Sequence, residues 1–140
     1  MADISALKTV TYTSRAHLDV SEEDLRQIHD QARHLNALDG ITGLLAFDGA
    51  RFLQIIEGTE EAIDHLVERL RNDPRHTAFE IRDERMVDAR SFPEWSMEMV
   101  RVSAGFENAR SEIASLLPGT TSAAVRDLAL RMSDALSAGP

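Results

Sequence analysis

The stretch GITGLLAFDGARFLQIIEG, residues 40–58, reads as two strands joined by a tight turn. Ile41–Phe47 and Arg51–Glu57 are strand-like runs, and Asp48-Gly49 between them supplies the positive φ angles a hairpin needs. The two strands are therefore antiparallel neighbours. Phe52, Gln54 and Ile56 point the same way, because side chains alternate between faces. Counting back through a turn centred on Asp48-Gly49 sets Gly43 opposite Gln54. An amide then stands in an apolar sheet face, beside a site with no side chain where another group can approach closely. A buried amide left unpaired costs about 1–3 kcal/mol, so Gln54 needs a partner. A strand glutamine exposed on an edge, or satisfied by a backbone carbonyl, accounts for the pattern equally well at this point.

Toward the N-terminus, Leu7–Ser14 is rich in β-branched residues and reads as a first strand with Tyr12 near its end. Ser21 followed by Glu22, Glu23 and Asp24 starts a helix: a hydroxyl cap, then acids at the positive end of the dipole. Leu25, Ile28, Ala32 and Leu35 recur behind it at helical spacing, and Asp39-Gly40 ends the run. Toward the C-terminus, Thr59 caps a second helix with the stripe Ile63, Leu66, Val67 and Leu70. It ends near Asn72, since Asp73 precedes Pro74. Phe79–Val87 and Trp95–Val102 read as two further strands.

The order βαββαββ predicts an α+β, ferredoxin-like sandwich with a mixed five-stranded sheet. Right-handed crossovers put both helices on one face. Helical segments over Glu107–Leu117, and beyond the Pro118-Gly119 break, then cover the other. Residues 1–104 are expected to form the main domain and 105–140 a helical extension on its sheet.

The composition narrows the chemistry. Of 140 residues, 43% are hydrophobic and 28% charged, enough for one domain with a real core. A formal net charge of −9 sets the global field against phosphate backbones and anionic lipid, so neither nucleic acid nor membrane is an expected partner. No cysteine is present, which excludes disulfides, thiolate metal sites and flavin–cysteinyl photochemistry. The sequence carries no signal-like or membrane-spanning apolar run, and a cytoplasmic location is expected. It has no glycine-rich phosphate loop or dinucleotide fingerprint, and its five histidines lack metal-ligand spacing.

Other residues have two readings each. Asn36 lies at the margin of the first helix's apolar stripe, although asparagine is common near helix ends. Tyr12, the only tyrosine, needs a partner for its hydroxyl, as most packed tyrosines do. Trp95 and Met97 alternate onto one face, which is ordinary core behaviour. Arg69, Asp73 and Arg75 are either a solvated helix end or a polar mouth that grips a ribityl or phosphate group.

Taken together, Tyr12-Thr13-Ser14, Asn36, GITGLL at 40–45, FLQIIEG at 52–58, DPRH at 73–76 and FPEWSM at 92–97 closely resemble the BLUF family of blue-light sensors. The likeness runs from about Leu7 to Val102. It implies a ferredoxin-like domain holding a flavin non-covalently, FAD first, with FMN or riboflavin as alternatives, the ring lying between the two helices. It implies that Gln54 bridges Tyr12 and the flavin edge, and that Asn36 bonds the pyrimidine side of the ring. Arg69, Asp73, Arg75 and His76 match positions near the polar tail, and Trp95 and Met97 match the mobile strand beside the glutamine. Leu35 departs from relatives that carry a polar or basic side chain there.

The residue types suit that role. A phenol can give an electron and a proton to an excited flavin and take them back, leaving an amide turned or tautomerised with no net redox change. The expected protein is thus a photoreceptor, not an enzyme. It is expected to be a homo-oligomer, dimer or larger, that signals through its last strand and C-terminal helices to a separate effector protein. The competing readings are a flavin-free ferredoxin-like regulatory module, and a small flavin oxidoreductase or acylphosphatase-like hydrolase. The last has no acid–base pair apart from helix caps to support it.

Overall fold

A computed structural model describes residues 7–16, 21–74, 76–92, 97–102 and 108–117, and in the tail residues 123, 126, 127, 129–131 and 134. The elements in order are β1 (Leu7–Ala16), α1 (Glu22–Leu38), β2 (Thr42–Phe47), β3 (Arg51–Thr59), α2 (Glu60–Arg71), β4 (His76–Val87), β5 (Glu98–Arg101) and α3 (Ala109–Leu116). The sheet runs β4-β1-β3-β2-β5. Its pairings are antiparallel except β2 with β5, which is parallel, so the sheet is mixed. This is the expected α+β ferredoxin-like order with a fifth strand added at the β2 edge.

Local chemistry sets the helix starts. The Ser21 hydroxyl accepts from the Asp24 backbone N–H at 3.1 Å while the Asp24 carboxylate accepts from the Ser21 N–H, a reciprocal cap at the head of α1. Thr59 caps α2, its hydroxyl accepting from Ala62 N–H at 3.2 Å. Both helices lie on one face. Leu25 of α1 and Ile63 and Leu66 of α2 pack in one cluster with Val10, Leu45, Phe47, Phe52 and Ile56 of the sheet. On the other face Leu44, Ala46, Leu53 and Ile55 meet Phe92, Val102, Ile113, Leu117 and Ala129, so α3 and part of the tail cover it.

The structure changes three expectations. The hairpin is centred one residue later than the Asp48-Gly49 dipeptide suggests. Asp48 Oδ1 accepts from the N–H groups of Ala50 and Arg51 at 2.8 and 2.6 Å, making Asp48 the first residue of a four-residue turn. Gln54 therefore faces Leu45, and Gly43 faces Ile56. A Cβ on Gly43 would lie 2.0 Å from the Ile55 carbonyl oxygen, so this glycine lets β2 approach β3. It does not make room for a ligand.

Next, β4 begins at His76, three residues before the expected start, and its register against β1 shifts twice. Ala78 sits at φ +53° where the register slips, and such a bulge hides strand alternation from the sequence. Last, β5 is only four residues long and starts after Met97, whose φ is +145°.

Candidate functional site

A cavity of about 470 Å³ opens between α1 and α2 above β1 and β3. Ile28, Ala32, Leu45, Phe52, Leu66 and Leu70 give it apolar walls, and Tyr12, Gln54, Arg69, Asp73 and His76 are among its polar lining. Concave, mostly apolar space with a few convergent polar groups is the usual form of a small-molecule site.

The sheet register places the two central groups. Tyr12 and Gln54 are directly opposed across β1 and β3 and are 3% and 4% exposed, so each must find its partner inside the protein. The Tyr12 hydroxyl donates to Gln54 Oε1. At the other end of the amide, Gln54 Nε2 donates to the sulfur of Met97 at 3.1 Å. A thioether is a weak acceptor, so this end of the amide is loosely held. Burial pushes the Tyr12 phenol far above its ordinary pKa, and the negative charge of Asp73 pushes it the same way. Tyr12 thus keeps its proton and remains a donor.

Aromatic contacts hold the phenol in place. The Tyr12 ring lies 4.5 Å from that of Phe79 and 6.3 Å from that of His76, centroid to centroid. His76 is itself fixed: its Nε2–H donates to the Leu70 carbonyl, and Nδ1 is hydrogen-bonded with the Ser14 hydroxyl at 2.8 Å. His76 therefore joins the cavity wall with both ring nitrogens already engaged. Toward α2, Arg69 lies 3.9 Å from Asp39, and Asp73 follows the helix end.

Of the residues singled out by sequence, Tyr12, Gln54 and Met97 form one hydrogen-bonded chain, and Arg69, Asp73 and His76 line the same cavity as Tyr12 and Gln54. Asn36 falls within α1, and its side chain lies outside the described residues, as do Arg75 and Trp95 altogether.

Two residues escaped the sequence reading. Glu57, 1% exposed, accepts from Thr42 Oγ1 at 2.9 Å and from the backbone N–H groups of Ser91 and Phe92 at 2.8 and 2.6 Å. The signal was present: Leu53, Ile55 and Glu57 alternate onto one apolar face, where a carboxylate needs a full set of donors. His29 meets the Met97 carbonyl at 3.0 Å; it stands at the edge of the apolar stripe of α1, four residues after Leu25, but no feature of the sequence ties it to residue 97.

The residues present fit a flavin. The apolar slot suits a flat aromatic ring, and the buried amide and phenol at its floor offer a hydrogen-bonding edge. Among described residues no group of His, Asp or Glu could hold a metal ion. No described helix is long and apolar enough to cross a membrane.

Comparison with known proteins agrees with that geometry. The chain is 33% identical over 116 residues to the photoactivated adenylate cyclase subunit beta of Euglena longa, a match covering 79% of this chain but only 14% of that protein. The dark-state structure of BlrB, a BLUF protein, superimposes with a TM-score of 0.71 at 33% identity, covering 96% of this chain and 98% of the other. Klebsiella pneumoniae BlrP1, in a calcium and cyclic diGMP complex, gives a TM-score of 0.76 at 30% identity over 94% of this chain and 34% of its own. Residues 7–98 match the family described as sensors of blue light using FAD, and the chain belongs to that family, BLUF.

Proposed function

We propose that this chain is a blue-light photoreceptor that turns over no substrate, with Tyr12, Gln54 and Met97 as its switch. The observation that carries the reading is the buried chain from the Tyr12 hydroxyl through the Gln54 amide to the Met97 sulfur at the cavity floor. When bound and excited by light, a flavin would supply a strong oxidant, for which the Tyr12 phenol is the donor. Tyr12 gives up its hydroxyl proton toward Gln54 Oε1 as an electron leaves its ring, and both return, so Tyr12 is restored. Gln54 is left with its amide turned.

The consequence of that turn follows from the partners. A turned amide presents Nε2 to the Tyr12 oxygen, which can accept, and Oε1 to the Met97 sulfur, which has no proton to donate. The link to Met97 is therefore lost in the lit state, and the change passes to the segment entering β5. Arg69, Asp73 and Arg75 grip the polar tail of the cofactor, with His76 as a wall beside them. Asn36, one turn beyond Ala32 on α1, bonds the ring. Trp95, two residues before Met97 in sequence, belongs to the same switching segment.

Residues 1–104 form the sensor and 105–140 the extension that carries the signal to a separate effector or a second copy of the chain. Relatives that are named as light-regulated cyclases support an effector as the receiver. The test is a visible spectrum of the purified protein before and after blue light. A yellow protein with a small reversible red shift is expected. A protein that takes up no flavin on reconstitution would overturn the reading.

A further inference from the structure

Met97 is held in an unusual way. Its side chain is fully buried, yet its φ is +145°, a setting that bulky residues rarely adopt. Such backbone persists only where the surroundings over-determine it. Two contacts do so here. The sulfur accepts from Gln54 Nε2, and the main-chain carbonyl accepts from His29 at 3.0 Å. Since a carbonyl oxygen can only accept, His29 carries a proton on Nε2.

His29 is half-buried on α1, next to Ile28 of the cavity wall. Seven residues earlier on the same helix, Glu22 accepts from Arg101 at the far end of β5. Helix α1 therefore touches β5 at one end and the residue entering it at the other. His29 is the contact at the end nearest Gln54.

We infer that His29 is a positioning residue that keeps Met97 seated while Gln54 switches, an inference that rests on the proposed turn of the Gln54 amide. Once the amide turns, the sulfur loses that donor, and among the described residues the His29 bond is the polar contact left to add to apolar packing in retaining the strained backbone. With it in place, dark recovery requires only that the amide turn back. Without it, Met97 leaves its strained setting and must re-enter before the dark state reforms. His29 thereby sets the recovery rate without taking part in the photochemistry.

The test compares flavin-loaded wild type, His29→Leu and His29→Gln, each labelled with methyl-¹³C methionine. His29→Leu should keep the photoshift, recover about fivefold more slowly, the factor equivalent to one neutral hydrogen bond, and move or split the dark-state Met97 methyl resonance. His29→Gln, whose amide can donate to the same carbonyl, should recover within about twofold of wild type on the same scale. Unchanged recovery in His29→Leu, equal slowing in both variants, or loss of the photoshift in His29→Leu would each overturn the inference. If wild type itself shows no photoshift, the switch reading fails, and the dark methyl resonance still decides the His29 contact: unmoved in His29→Leu, it overturns it.

Discussion

The two faces of the sheet handle buried polar groups in opposite ways, and β3 carries one on each. Gln54, on the helix side, is satisfied by a phenol at one end and a thioether at the other, beside a cavity. Glu57, on the α3 side, is saturated by a hydroxyl and two backbone N–H groups. Both reach the connection between β4 and β5, Glu57 at Ser91 and Phe92, Gln54 at Met97. A charged acceptor with three good donors is expensive to disturb, whereas an amide on a sulfur is not. One end of the connection is therefore fixed and the other is free to switch.

The largest effects should separate these residues by kind. Gln54→Leu should abolish the photoshift while lowering stability by only about 1–2 kcal/mol, since the nearly isosteric apolar side chain leaves just the Tyr12 hydroxyl without its partner. Glu57→Ala should do the reverse. It strands two buried N–H groups and should cost about 2–5 kcal/mol in urea unfolding, with a photoshift retained in the folded fraction. A folded Glu57→Ala protein without a photoshift would break the comparison.

A smaller effect should appear at alkaline pH. Burial raises the Tyr12 phenol above its value in the unfolded chain, and hydrogen bonds to Asp64 and Glu84 raise Lys8 likewise. Above a pH of about 10 the unfolded state releases protons that the folded state keeps, so stability should fall as pH rises. Tyr12 is the only tyrosine, so the near-ultraviolet tyrosinate band reports it alone. That band should emerge only as far-ultraviolet ellipticity is lost, and Tyr12→Phe should flatten part of the pH slope. A tyrosinate band that titrates near 10 in folded protein would show that the phenol is not sealed.

What the sequence revealed follows the same division. Periodicity, caps and the paired strands at 41–57 were enough for element order and for which helices share a face. The centre of the turn was misread by one residue, and the partner of Gln54 therefore by two, because a side chain, Asp48 Oδ1, organises the turn, and dipeptide rules do not include that bond. The start of β4 was misread because Ala78 adopts a positive φ with nothing in its chemistry to announce it. Gln54 was legible as an amide out of place in an apolar strand face. Its link to Met97 was not, because that contact joins residues 43 apart in sequence through a strand only four residues long. Glu57 was legible in principle, and His29 was not.

The central claim is that light moves the Gln54 amide and leaves the Glu57 carboxylate where it is. A light-minus-dark infrared difference spectrum of protein labelled with ¹³C in its glutamine and glutamate side chains tests it directly. The account predicts an isotope-sensitive amide carbonyl band in wild type, absent in Gln54→Leu, with no carboxylate band that depends on Glu57. A carboxylate band that disappears in Glu57→Gln, or an amide band that survives in Gln54→Leu, would contradict it.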